Sequence, residues 1–168
     1  MKKLFITLAT LSFFGFGCSA PSLTRSAADQ MAESAAERAT GGKVNIASDK
    51  GTVEYSDQKG NAVAMGENAT LPNGFPTDIP RYPGSTLVAA STTDDQHAGL
   101  SVRTTDDSAK VMTWLEDELK KNGWTLKTTM GGTEFQARTF EKGTNKLTVT
   151  TLPDGEGKGG TLVTIGRE

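Results

Sequence analysis

Alternation limits what this chain can fold into more than any other feature. Trp124, Leu126, Thr128 and Met130, then Phe135 and Ala137, Leu147 and Val149, and Val163 and Ile165 recur at every second position. A period of two sends successive side chains to opposite faces of an extended backbone, so these segments read as strands with one buried face. Gly131-Gly132, Lys142 to Asn145 and Pro153 to Gly160 supply the turns. Phe140 is out of phase with Phe135, which predicts a bulge near Arg138. Upstream, Leu87 to Ser91 and Leu100 to Thr104 read as two further strands.

One helical period interrupts this pattern. Met112, Leu115 and Leu119 fall at i, i+3 and i+7 with Val111 and Trp114 beside them, and Asp106, Asp107 and Ser108 supply capping oxygens ahead of them. The helix is expected to close at Asn122. Gly123 then takes a left-handed conformation and Trp124 folds back over Leu119 in a Schellman ending. The order β-β-α-β-β-β-β over residues 85–168 implies an α+β domain, an antiparallel sheet with one helix packed on one face.

Two smaller units are expected ahead of it. Residues 26–40 have helix composition, with Ser26 as N-cap and Gly41-Gly42 as the stop. Ala28, Met31, Ala32, Ala35 and Ala39 form its apolar stripe, in which Met31 is the one large member, so the helix reads as a spacer that docks weakly. Residues 43–66 alternate again (Val44 and Ile46, Val53 and Tyr55, Val63 and Met65) around turns at Asp49-Lys50-Gly51 and Asp57 to Asn61, the pattern of a small three-stranded meander. Between meander and domain runs LPNGFPTDIPRYPG, residues 71–84. Pro72, Pro76, Pro80 and Pro83 push each preceding residue out of the helical region and make an extended arm. Phe75, Ile79 and Tyr82 are its apolar contacts, either against the domain or as an interaction site for a partner.

The N-terminus carries an address. Lys2 and Lys3 precede an uncharged, mostly apolar run from Leu4 to Phe16, followed by Gly17 and the one cysteine, Cys18. About 13 residues at ~1.5 Å each reach ~20 Å, short of a ~30 Å bilayer core, so residues 1–17 read as a signal peptide and not as a span. The alternative is secretory cleavage after Ala20, against which the following Pro21 counts. Gly15-Phe16-Gly17-Cys18 resembles the box of a bacterial lipoprotein signal. That resemblance implies lipidation of Cys18, a lipidated tether over residues 18–25 and, with Ser19 where Asp would retain the chain at the inner membrane, an outer-membrane destination. Without residues 1–17, 16 basic side chains face 20 acidic ones, and no basic cluster gives a nucleic-acid footprint.

The arm and the helix ending LEDELKKNGW also resemble a group of uncharacterised bacterial envelope lipoproteins and secreted proteins, with an arm of the form L-P-x-x-F/W-P-x-D-I/V-P-x-Y-P-G. The likeness runs over residues 71–168 and carries no catalytic signature.

Literal matches to catalytic motifs fail on context. Gly155-x-Gly157-x-x-Gly160 lacks the following helix that a dinucleotide fingerprint needs. Ser56-x-x-Lys59 falls in a turn between short strands, not at the start of a buried helix. His97, the one histidine, has Asp94 and Asp95 beside it in one loop, which gives no fixed metal geometry. Glu116, Asp117 and Glu118 diverge around a helix. No cofactor, metal or catalytic residue is assigned. The expectation is a non-enzymatic, lipid-anchored envelope protein that binds or scaffolds another envelope macromolecule; an enzyme inhibitor and, behind it, a carboxylate-based hydrolase are the alternatives.

Overall fold

A computed structural model describes residues 25–93, 95, 97–132, 135–155 and 160–168, with side chains from residue 27 onward. Cys18, the signal segment, Asp94 and the loop glycine Gly157 lie outside what it describes, while Ser26, expected as an N-cap, falls inside a helix that already includes Arg25. The elements run α1 (Arg25–Thr40), β1 (Lys43–Ala47), β2 (Thr52–Ser56), β3 (Ala62–Met65), β4 (Thr86–Thr92), β5 (Ala98–Thr104), α2 (Ser108–Lys121), β6 (Thr125–Gly131), β7 (Gln136–Lys142), β8 (Asn145–Pro153) and β9 (Thr161–Arg167). The chain is α+β, as the alternation implies.

The sheet is larger than expected. The described strands form one antiparallel sheet of nine, in the order β1-β2-β3-β4-β5-β9-β8-β7-β6. The meander is not a separate layer: β3 pairs with β4, Ala64 opposite Ala90 and Val63 opposite Ser91, so β1–β3 extend the main sheet. Small inward residues make this possible, because Ala62 and Ala64 are buried on the same face as Ala90 and Leu100 without lifting the strand. Gly66 completes the join. Its N–H bonds the carbonyl of Val88 (3.0 Å) at the bulge between Leu87 and Ala89.

The core lies on one face of this sheet. Leu87, Leu100, Val102, Phe140, Leu147, Val149, Val163 and Ile165 meet Val111, Met112, Leu115 and Leu119 of α2 in one buried cluster. Helix α2 forms as its sequence dictates. Asp107 caps it by accepting from the Lys110 N–H (2.9 Å), and the C-terminus closes with Trp124 N–H to Leu119 O (3.0 Å) and Gly123 N–H to Lys120 O (3.0 Å), Gly123 at φ +86°. These are the two bonds of a Schellman ending.

The arm lies on the same face. Its first part is a series of tight turns, with Phe75 N–H bonding Pro72 O (3.1 Å) and Ile79 N–H bonding Pro76 O (3.3 Å). Ile79 and Tyr82 are buried in the core cluster and Phe75 packs half-buried against it. Two polar clamps hold the arm down. The Asp78 carbonyl accepts from Trp124 Nε1 (3.2 Å) and Asn122 Nδ2 (3.3 Å), while its carboxylate meets Lys142 Nζ (2.8 Å) and Arg167 (3.4 Å). Farther along, the Tyr82 hydroxyl donates to Asp106 (2.6 Å) and its ring meets Trp114 edge-on, centroids 5.2 Å apart.

Two local expectations are corrected. Strand β7 runs in unbroken register against β8 and carries no bulge at Arg138; the irregularity lies on β6, between Leu126 and Thr128. The phase change arises because Arg138 and Phe140 both face the core side, where Arg138 pairs with Glu116 (2.6 Å), while Phe135 sits outside, exposed, just ahead of the strand.

The apolar stripe of α1 is also on the wrong side for docking. Ala28, Met31, Ala32, Ala35 and Ala39 are all exposed. The helix instead turns its carboxylates to the free edge of β1: Glu37 accepts from Val44 N–H (3.2 Å), Glu33 from Ile46 N–H (2.6 Å), and Asp29 from the N–H (3.3 Å) and hydroxyl of Ser48. The spacing explains the fit. Every fourth residue of a helix advances about 6 Å and every second residue of a strand about 6.7 Å, so carboxylates at 29, 33 and 37 keep step with N–H groups at 48, 46 and 44.

Candidate binding face

Because α2 and the arm share one face, the other face of the sheet is left bare. Its composition follows from the register. One row runs Ile46, Val53, Met65, Ala89, Ser101, Thr164, Thr150, Ala137, Met130 across all nine strands. The next runs Val44, Tyr55, Val63, Ser91, Gly99, Gly166, Thr148, Thr139, Thr128. The face is therefore graded: mostly apolar over β1–β3, lined mainly by hydroxyls and small residues over β4, β5, β9 and β8, and apolar again at Met130, Phe135 and Leu152.

Exposure confirms that nothing in the described chain covers it. Eight large apolar side chains are exposed among the described residues, and six of them, Val53, Val63, Met65, Met130, Phe135 and Leu152, belong to this face. Its centre is low and flat. Gly99 and Gly166 lie opposite one another, and a side chain added at Gly166 would point into open space. Ser101 and Thr164 face each other through their hydroxyls at 3.4 Å. Arg103 closes one margin, paired with Asp154 at 2.7 Å. Such a face offers hydrogen-bonding hydroxyls between two apolar ends.

The space between α2 and the sheet is filled. Val111, Met112, Leu115, Leu119, Phe140 and Leu147 are wholly buried there. Two concavities among the described residues are open grooves on either side of the arm's first part. One, of about 640 Å³, lies on the core side of β1–β3 beyond the start of the arm, floored by Asn45, Glu54, Ser56, Ala62 and Ala64 and walled by Leu71 and Pro72. The other, of about 480 Å³, lies beside the arm and contains Asp78, His97 and Arg167. In the second groove the Asp78 carboxylate is already held by Lys142 and Arg167, which makes it a structural anchor of the arm.

The ionisable groups with displaced affinities are also structural. Asp106 is held below the usual carboxylate range by the hydrogen bond from Lys110 and then by that from Tyr82, whose own hydroxyl is pushed up chiefly by Asp106. Glu116 is held down first by its hydrogen bond from Lys120 and also by Arg138, against a contrary effect of burial. Both carboxylates hold α2 in place, Asp106 to the arm and Glu116 to β7.

The residues singled out from sequence are scattered. Phe75, Ile79 and Tyr82 pack within the chain. Ser56 and Lys59 flank a turn in which Asp57 accepts from the N–H groups of Lys59 and Asn61 (both 2.9 Å). His97 is exposed, and among the described residues no three His, Cys, Asp or Glu side chains gather as a metal site. The bare face itself was missed. Its signal was present in the outward half of the alternation, the Thr residues of TVTT and the paired glycines, which sequence reasoning treats as the solvent side of strands.

Residues 86–159, from β4 to the loop after β8, match the family described as START domain-like. The match covers less than half of the chain and leaves out the arm, β1–β3 and β9. No curated protein and no solved structure matches the chain.

Proposed function

We propose that this protein is a lipid-anchored envelope lipoprotein, tethered through Cys18, that works without catalysis by binding or scaffolding another envelope macromolecule on the bare face of its sheet. The observation that carries the reading is the one-sidedness of the fold: helix and arm occupy one face, and six of the eight exposed large apolar side chains lie on the other. The START domain-like match over residues 86–159 agrees with a binding role. The filled interior between α2 and the sheet moves the contact from a cavity to a surface.

The test pairs two measurements. Val63→Lys with Met65→Lys places two charges on exposed positions of the face, where the fold should tolerate them. Crosslinking of the anchored protein in its own envelope should then lose the adduct that the native chain forms, with the melting temperature unchanged. An adduct that survives the double substitution refutes the face as the site. Independently, mass spectrometry of the mature N-terminus should find an acylated Cys18, and Cys18→Ser should release the protein from the membrane; an unmodified chain starting at Pro21 refutes the anchor.

A further inference from the structure

The backbone nitrogen that follows an asparagine can attack the asparagine's own side-chain amide carbon, and a glycine in that place puts no side chain in the way. The chain contains this dipeptide twice, at Asn73-Gly74 and Asn122-Gly123. Its other four asparagines precede Ile46, Ala62, Ala69 and Lys146, whose side chains crowd the attack. The fold holds the two Asn-Gly pairs in opposite ways.

Asn122 and Gly123 are both tied. Asn122 Nδ2 donates to the Asp78 carbonyl (3.3 Å), and the Gly123 nitrogen, the attacking atom, donates to Lys120 O (3.0 Å) inside the closing turn of α2. Asn73 and Gly74 instead take the two central places of an exposed turn, closed by Phe75 N–H to Pro72 O (3.1 Å), with Gly74 at φ +82°. Neither the Asn73 side chain nor the Gly74 N–H has a hydrogen-bond partner among the described residues. The peptide plane between them can therefore turn over without breaking the bond from Phe75 to Pro72. The space is open as well, since nothing lies within 4 Å of where a Cβ on Gly74 would stand.

We propose that Asn73 is a modification site, at which the folded chain deamidates itself to aspartate and isoaspartate, and that the isoaspartate form releases the first turn of the arm. The Gly74 nitrogen gives up its proton and bonds to Asn73 Cγ, the Cγ–Nδ2 bond breaks, and ammonia leaves. Water then opens the five-membered imide at one carbonyl or the other, so that the two steps together exchange ammonia for water. In isoaspartate the main chain runs through Cβ and Cγ. The turn gains a carbon, and the bond from Phe75 to Pro72 is lost. Asn73 borders both grooves beside the arm, so either product also sets a carboxylate between them.

The full chain in mild detergent, held folded over days and mapped by electron-transfer fragmentation of its peptides, tests this. Asn73 should convert while Asn122 stays intact, and in urea both should convert at similar rates. The rate at Asn73 should rise about tenfold per pH unit on the alkaline side, as the anionic fraction of a weak acid does below its pKa. Amide hydrogen exchange at Phe75 should become fast in isoaspartate chains separated by ion exchange. It should stay slow in Asn73→Asp, which carries the charge without the added carbon. The proposal is overturned if folded Asn73 remains intact, if Asn122 converts alongside it in the folded chain, if the rate ignores pH, or if Phe75 exchanges equally in the isoaspartate and Asn73→Asp chains.

Discussion

Replacing Gly123 by Ala isolates one backbone effect. Gly123 sits at φ +86° in the closing turn of α2, and a Cβ built there meets only the Cε of Lys142, at an ordinary 3.7 Å. The substitution therefore makes no clash, and what remains is the strain of a left-handed L-residue, about 1–2 kcal/mol. For a chain of this size each kcal/mol moves the melting temperature by roughly 2–4 °C, so Gly123→Ala should melt about 2–8 °C lower. Two other glycines bracket this value. At Gly66, also at positive φ, a Cβ would lie 2.0 Å from the carbonyl oxygen of Gly51, so Gly66→Ala should fall well below Gly123→Ala. Gly166 has no positive φ and open space above it, so Gly166→Ala should be neutral or slightly stabilising, since glycine within a strand is itself unfavourable by about 0.5–1 kcal/mol. Thermal melts followed by far-UV dichroism decide the matter. Equal melting of Gly123→Ala and Gly166→Ala would refute the Schellman ending as a source of stability.

Ile79→Ala should destabilise by about 2–5 kcal/mol, because Ile79 is a core residue of the arm; a change below half a kcal/mol in urea unfolding would mean that the arm only rests on the surface. Asp106 and Glu116 both titrate lower in the folded chain, so their stabilisation is present above the unfolded carboxylate range, about pH 4, and is lost as pH falls through their folded values. Tyr82→Phe should shrink the Asp106 part of that acid loss, and an unchanged acid midpoint counts against the clamp. A fragment of residues 71–168 should fold cooperatively, since it keeps α2, the arm and six strands, but below the stability of the full chain because β4 loses β3. A fragment as stable as the whole would show that the β3–β4 join contributes nothing.

What could be read in the sequence was local. The Asn122-Gly123-Trp124 ending of α2 was legible because each residue's role is decided within one turn, and the Asp107 cap for the same reason. The antiparallel α+β class followed from alternation around short glycine turns. The joining of β3 to β4 was not legible, because twenty residues separate the two strands and the pairing depends on small residues, Ala62, Ala64 and Ala90, that carry no strand signal of their own. Helix α1 was misread for a different reason. Periodicity shows that a helix has two faces, but the face that packs is set by what lies beside it, and beside α1 is a row of unpaired N–H groups. Asp29, Glu33 and Glu37, at i, i+4 and i+8, were the readable clue. The bare face escaped notice because alternation marks two faces of a strand and does not say that the outward one stays uncovered across nine strands.

The position of β9 has a consequence for how the protein is made. It is the last of the described strands in chain order and sits in the middle of the sheet, between β5 and β8. Until its seven residues have emerged, the sheet exists as two halves, β1–β5 and β6–β8, that share no strand pairing and each present a raw inner edge. Strand pairing between distant segments is slow, and exposed edges are where incomplete chains aggregate. The export proposed above, N-terminus first, would keep the chain unable to close throughout its passage. Truncation of the last few residues should be far more damaging than loss of an equal length from the start of α1, and degradation after a stalled export should begin from an open seam at Ala98 to Thr104.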